Sequence, residues 1–314
     1  MNALLEKTVE APIQSRVGAR FHLLMAYIFS ILMLVMLLAC RLASIDIPDL
    51  RQLAFGIIFI FAVVFTLAVY WHEKGKPDLR DAVMTIPWSV LVTVIIPPLV
   101  LAAARLNRPL QDEHLAHFDQ LLSVSVPQIV SYTSQHWLGR VINRTYPLLI
   151  PLMMISALLP ALVGKVKNAQ QFLFANLIAF FIGLPLFALL PAIGPWYGYH
   201  FVATAHQIEC QEAILLFRAP GHTLSNINAI ICFPSFHVIW AIFCAAALWG
   251  FRLVRIPVAL LSGMIIVSTV TTGWHYMVDV LGGIVVACLS LAIAHVCMYT
   301  SNPGCDQCGA GSGQ

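Results

Sequence analysis

The sequence predicts an all-α integral membrane protein with about eight transmembrane helices, and three observations predict it. Of 314 residues, 60% are hydrophobic and only 10% are Asp, Glu, Lys or Arg, where soluble domains carry roughly 25% of those charges. The mean hydropathy of +0.86 corresponds to more apolar surface than one water-soluble core of this size could bury. The apolar residues also gather into runs close to the roughly 20 residues that cross about 30 Å of hydrocarbon. They show no β-barrel alternation, so helices remain as the way to satisfy backbone groups in lipid.

Eight runs qualify: 21–43, 53–72, 85–104, 145–164, 172–192, 236–251, 256–273 and 277–299, the sixth and seventh being short. The first follows Arg16 and Arg20 and lacks a short apolar region ending in a small-residue cleavage site, so it is expected to be a retained helix. With the N-terminus in the cytoplasm, ten Lys and Arg fall on the inner side and seven on the outer, which favours that orientation. The expected location is a bacterial inner or plasma membrane. Residues 1–20 read as a cytoplasmic leader, 21–84 as additional N-terminal helices, 85–300 as a catalytic membrane domain and 301–314 as a flexible Gly-rich tail. A net charge of +3 without a basic stripe argues against nucleic acid as a partner. The expected partners are the bilayer and a lipid phosphate or phospholipid. The sequence leaves the oligomeric state open.

The eight cysteines show no disulfide framework. Cys40, Cys244, Cys288 and Cys297 lie within apolar runs and read as small hydrophobes. Cys305 and Cys308 form a lone C-x-x-C in the tail, with no second ligand pair for a metal. No cofactor and no metal are expected.

Two long polar stretches, 105–144 and 193–235, share the predicted outer side, where loops on a rigid bundle build sites. In the first, Leu115, Phe118, Leu121 and Leu122 recur at helical spacing among Asp112, Glu113 and Asp119, predicting an amphipathic interfacial helix. The second opens with Gly194-Pro195-Trp196-Tyr197-Gly198-Tyr199, which stops the fifth helix and places aromatics at headgroup level.

Two short motifs stand at the starts of apolar runs: Pro234-Ser235-Phe236-His237 and His275-Tyr276-Met277-Val278-Asp279. An even number of crossings separates them, so both imidazoles are expected on one face of the membrane. The i, i+4 spacing of His275 and Asp279 puts both side chains on one helix face. The carboxylate can then hold the Nδ1 proton and leave Nε2 free to attack. His237 is the natural second player, since an unperturbed histidine can give a proton to a leaving alkoxide and later take one. Ser235, near a helix start, could hold phosphate oxygens together with free N–H groups. Paired histidines with one carboxylate read as a phosphoryl-transfer site.

Those motifs resemble two signatures of the type 2 phosphatidic acid phosphatase superfamily, Pro-Ser-x-His and the end of Ser-Arg-x5-His-x3-Asp. The resemblance covers the last third of the chain closely. It implies a six-helix bundle and a metal-free phosphohistidine intermediate, with His275 as nucleophile, Asp279 orienting it and His237 as acid and base. The chain departs from the pattern at Ser268-Thr269, where Ser-Arg belongs, and it lacks Lys-x6-Arg-Pro. Arg108-Pro109 is present, with Leu101 at the lysine position. Ser-Thr before His-Tyr-x-x-Asp, with Leu190-Pro191 and Pro195-Trp196-Tyr197, is similar to the inositol phosphorylceramide synthase branch, which moves a phosphoinositol headgroup onto a ceramide.

Some other cation must then meet the phosphate. Arg218, the only Lys or Arg in 193–235, is the first candidate and Arg108 the second. Arg105, Arg140 and Arg144 read as headgroup anchors; Asn107 and Asp119 are further candidates for a polar headgroup. His200, His206 and His222 share the outer loop without a metal-ligand spacing. Two other readings need different features. A transporter would use broken helices, for which Pro97-Pro98 and Gly183 with Pro185 are the candidates. A haem protein would need both imidazoles free for iron.

Overall fold

The computed structural model describes residues 2–45, 50–218 and 231–299, and among these every regular element is a helix. The chain runs through α1 (Asn2–Leu42), α2 (Leu50–Glu73), α3 (Pro77–Ala104), α4 (Asp112–Leu121), α5 (Val126–Gln135), α6 (Trp137–Asn143) and α7 (Leu149–Leu162). It continues through α8 (Val166–Leu189), α9 (Pro195–Gly198), α10 (Ala205–Arg218), α11 (Phe236–Leu248), α12 (Arg255–Thr271) and α13 (Met277–Tyr299). Among the described residues, six helical stretches are long and apolar enough to cross a membrane: Phe21–Leu42, Phe55–Glu73, Leu79–Ala104, Trp137–Leu162, Val166–Leu189 and Met277–Met298. The protein is a multi-pass integral membrane protein.

Two expected spans come out shorter than a bilayer crossing: α11 has 13 residues and α12 has 17. Both are apolar; α11 is mostly buried, whereas α12 leaves Ile256, Leu260 and Val267 exposed. Ser235 caps α11, its hydroxyl accepting the Val238 N–H at 3.4 Å, and Gly250 with the turn to Val254 ends that helix before the next begins. The fourth span bends, since α6 and α7 meet through a 3-10 turn at Tyr146–Leu148 that contains Pro147. Pro97, Pro98 and Pro185 do not break their helices: α3 and α8 run continuously through them.

α8 is the centre of the packing. It touches α3, α7, α11 and α13, while α11 also lies against α7, α12 and α13. Leu149, Leu152, Phe172, Ala175, Ala179, Phe236, Ile239, Phe243, Leu248 and Ile265 fill the space between these helices. α1 joins through α3, with Met25, Phe29, Leu32 and Met36 against Trp88, Leu91 and Ile95. α2 also lies on α3 and leaves Phe55, Ile58, Phe59 and Phe65 exposed, the pattern of a lipid-facing helix.

Small residues set the closest approach of α11 and α13, as small residues do between membrane helices. A Cβ on Gly283 would lie 2.7 Å from the Ser235 carbonyl oxygen and 3.0 Å from Val238 Cβ. On Gly263 of α12 it would meet nothing within 4 Å. We expect Gly283→Ala to push the start of α11 away from α13 and to lower stability by about 1–3 kcal/mol. Gly263→Ala should leave the detergent melting temperature unchanged or raise it. Paired thermal melts check both.

Candidate active site

The two histidine motifs meet at one end of the bundle. α11 begins one residue before His237, and the chain returns through α12 to a turn that places His275 two residues before α13. The imidazole centroids of His237 and His275 are 5.6 Å apart. A backbone bond joins the two motifs as well, since the Ser235 N–H donates to the Asp279 carbonyl at 3.1 Å.

His275 is buried, and its Nδ1 lies 3.1 Å from the Cys232 carbonyl and 3.4 Å from Asp279 Oδ2. Both partners engage the same nitrogen, so Nδ1 carries the proton in the neutral ring and Nε2 presents a lone pair. Nε2 has no hydrogen-bond partner among the described residues. Asp279 is wholly buried, and its Oδ2 also accepts the Tyr276 N–H at 2.9 Å and the Cys232 thiol at 3.2 Å. Burial, reinforced by the nearby Asp279, pushes the Cys232 thiol up, so it stays a donor. Cys232 Sγ, His275 Nδ1 and Asp279 oxygen lie within 4.8 Å of one another, a spacing that a small divalent ion could bridge. Such an ion would displace the thiol proton and take the Nδ1 that the carboxylate orients.

On the other side, His237 stacks on Tyr146 with centroids 4.4 Å apart, and the Tyr146 hydroxyl is 3.5 Å from His237 Nδ1. Trp274 lies beyond Tyr146 at 6.2 Å and is met edge-on by Trp196 at 5.3 Å and by His206 at 5.4 Å. The histidine pair therefore borders aromatic faces. Its hydrogen-bond partners are Tyr146, Cys232 and Asp279, with no Lys or Arg among them.

The other candidates fall elsewhere. Ser235 is fully buried and its hydroxyl serves as the α11 cap, which commits one of its lone pairs. Arg218, at the end of α10, bonds the Arg108 carbonyl, so these two come together with each other. Arg105 lies over the Phe217 ring at 4.5 Å. Arg140 bonds the carbonyls of Ser134 and Gln135, which anchors it to the end of α5. Asn107 and Arg144 are exposed. Ser268 and Thr269, at the positions of the expected Ser-Arg, turn their hydroxyls back onto the Ile265 and Ile266 carbonyls. His206 pairs with Glu209 at 3.5 Å and His200 is exposed, whereas His222, Cys305 and Cys308 lie outside the described residues.

The predicted interfacial helix is α4, but its two faces are not apolar against polar. Leu115 and Ala116 are buried together with Asp112 and Asp119, whereas Phe118 and Leu121 are exposed. The acids face inward because each has backbone donors to meet. Asp112 accepts from the Ile193 and Gly194 N–H groups, and Asp119 from the Met277 and Val278 N–H groups that open α13. Cys232 and Tyr146 carried no signal, because their roles come from distant segments.

Burial pushes the Asp119 carboxyl up to about 6, with the Asp279 charge adding to the rise and the Met277 and Val278 N–H groups opposing it. Between the ordinary 3.8 and about 6 the folded chain then binds more protons than the unfolded one. The contribution of this group to stability is greatest below pH 3.8, falls as pH rises towards 6 and is level above that. Melting curves of wild type and Asp119→Asn over this range should show a steeper fall in wild type.

A family profile described as the PAP2 superfamily matches residues 113–293 of the 314-residue chain. Comparisons with curated proteins and with solved structures returned no match.

Proposed function

Since the chain belongs to the PAP2 superfamily, we propose that it is a membrane lipid phosphatase or phosphotransferase that works through a phosphohistidine on His275. Membership supports a phosphatase-type activity on a lipid phosphate in general terms. The observation that carries the finer reading is the pair of imidazoles 5.6 Å apart, with the Nδ1 of His275 engaged and its Nε2 unpartnered among the described residues.

The Nε2 lone pair forms the N–P bond as the P–O bond to the lipid breaks. The Nδ1 proton, held by Asp279 and the Cys232 carbonyl, shares the positive charge that grows on the ring. His237 in its protonated form gives its proton to the leaving alkoxide. Neutral His237 then takes a proton from the incoming water or alcohol as that oxygen bonds phosphorus and the N–P bond breaks, which restores both histidines. No redox change occurs.

Packing around α8 supports a catalytic unit of the later six apolar helices within 85–300, with α1 and α2 added through α3. The excess of basic residues on one side supports an outward-facing site with the N-terminus inside. Transfer to a lipid alcohol, as in the inositol phosphorylceramide synthase branch, is the second reading. It is favoured by Ser268-Thr269 in place of Ser-Arg and by the aromatic faces of Tyr146, Trp196 and Trp274 beside the pair.

Radiolabelled phosphatidic acid, a polyprenyl diphosphate, and phosphatidylinositol with ceramide distinguish these readings in detergent. Inorganic phosphate marks a phosphatase, and a new headgroup-bearing lipid marks a transferase. We expect an acid-labile phosphoenzyme in quenched wild type and none in His275→Ala. His237→Ala should lose about 100- to 10,000-fold in turnover, the usual contribution of acid–base catalysis. Wild-type turnover in either variant removes that histidine from the mechanism.

Arg218, on the Arg108 carbonyl and on the helix that leads toward the His237 motif, is proposed as a phosphate ligand with Arg108. Arg218→Ala should raise KM for the phospholipid severalfold and change kcat little; an unchanged KM places the phosphate elsewhere.

A further inference from the structure

Side chains that take no part in the proposed chemistry converge on the short strip that carries the nucleophile. α4 lies against the start of α13 and holds it at two points. Asp112 Oδ1 is 3.0 Å from the Tyr276 hydroxyl, and the Asp112 carboxylate is itself fixed by the N–H groups of Ile193 at 3.0 Å and Gly194 at 2.8 Å. The same hydroxyl lies 2.9 Å from the Gly194 carbonyl. A Cβ on Gly198 would stand 2.2 Å from that hydroxyl oxygen, so the slot exists only because residue 198 has no side chain. Two helical turns further along α4, Asp119 receives the Met277 and Val278 N–H groups at 2.9 Å each. Tyr276, Asp112 and Asp119 are all buried.

His275 sits immediately before this strip, and none of these bonds touches its ring. Asp279 orients the imidazole about its own axis, but residues 275 and 279 share one stretch of backbone. The direction of that backbone decides where Nε2 points. Attack on phosphorus needs the reacting atoms about 3–3.5 Å apart and aligned, and a misplacement of about 1 Å can cost about 100-fold.

We propose that Asp112, Tyr276 and Asp119 are positioning residues. α4 grips the turn through the Tyr276 hydroxyl and the first N–H groups of α13, and so sets the direction in which His275 presents Nε2. This rests on His275 being the nucleophile.

The test uses the full-length protein in detergent with radiolabelled phosphatidic acid, measuring kcat, KM, the rate of phosphoenzyme formation and the melting temperature. Tyr276→Phe deletes only the hydroxyl. It should slow phosphoenzyme formation and kcat by about 10- to 100-fold, with KM within about threefold of wild type. Asp112→Ala should fall similarly, and the double variant should be no worse than the poorer single one, because both break the same link. Asp119→Ala should fall as Tyr276→Phe does, whereas Asp119→Asn, which keeps an acceptor oxygen for one of the two α13 N–H groups, should recover part of the rate. A melting temperature that drops while kcat and phosphoenzyme formation stay within twofold of wild type in Tyr276→Phe and Asp119→Ala overturns the proposal. His275→Ala run alongside separates the two levels. Turnover in that variant removes the nucleophile assignment, whereas its silence beside fully active Tyr276→Phe and Asp119→Ala removes positioning alone.

Discussion

One buried carboxylate ties one end of this bundle together. Asp279 Oδ2 takes the Tyr276 N–H and the Cys232 thiol and faces Nδ1 of His275, while the Asp279 backbone carbonyl takes the Ser235 N–H. A carboxylate with no exposed surface is costly unless donors surround it. Meeting that cost requires Cys232 and Ser235, from the turn before α11, to sit against the first turn of α13. The requirement that Asp279 be satisfied therefore brings the two histidine motifs to one place. Its Oδ1 has no partner among the described residues.

The helices make this closeness possible by being small where they cross. Gly283 lets the α13 backbone come against Ser235, and Gly183 of α8 would, with a Cβ, meet the Phe236 ring at 2.7 Å. α11 and α12, shorter apolar helices, lie beside longer ones, and α12 also leaves Ile256, Leu260 and Val267 exposed. At the starts of α11 and α13, His275 is buried and His237 half-buried. Burial of this kind keeps water from a reactive nitrogen and strengthens the field of every nearby dipole.

The interfacial segments then act as a frame. α4 binds the start of α13 through Asp119 and the Tyr276 hydroxyl through Asp112, while Gln207 of α10 donates to the Thr272 and Gly273 carbonyls at 3.3 Å. All these bonds fall on residues 272–278, the chain on either side of His275. A turn in irregular conformation has free backbone groups, and burying it demands partners for them. Side chains from α4 and α10 supply those partners, and in doing so hold the turn in a single arrangement.

The sequence by itself determined the all-helical membrane class, because hydropathy is additive along the chain and needs no partner to be read. It also determined that Asp279 can reach His275, since i, i+4 is a property of one helix. Only the tertiary structure decided what completes the site. Cys232 lies 43 residues from the His275 it faces, Tyr146 lies 91 from His237, and Asp112 lies 164 from Tyr276. No periodicity links such positions; packing of α4 and α11 against α13, and of the Tyr146 turn against α12, does. The inward face of α4 was misread for the same reason. Asp112 and Asp119 look like solvent-facing acids until the free N–H groups of Gly194, Met277 and Val278 are known to lie beneath them. Local rules say which face of a helix is apolar, but a buried acid is explained only by the distant donors that fold against it.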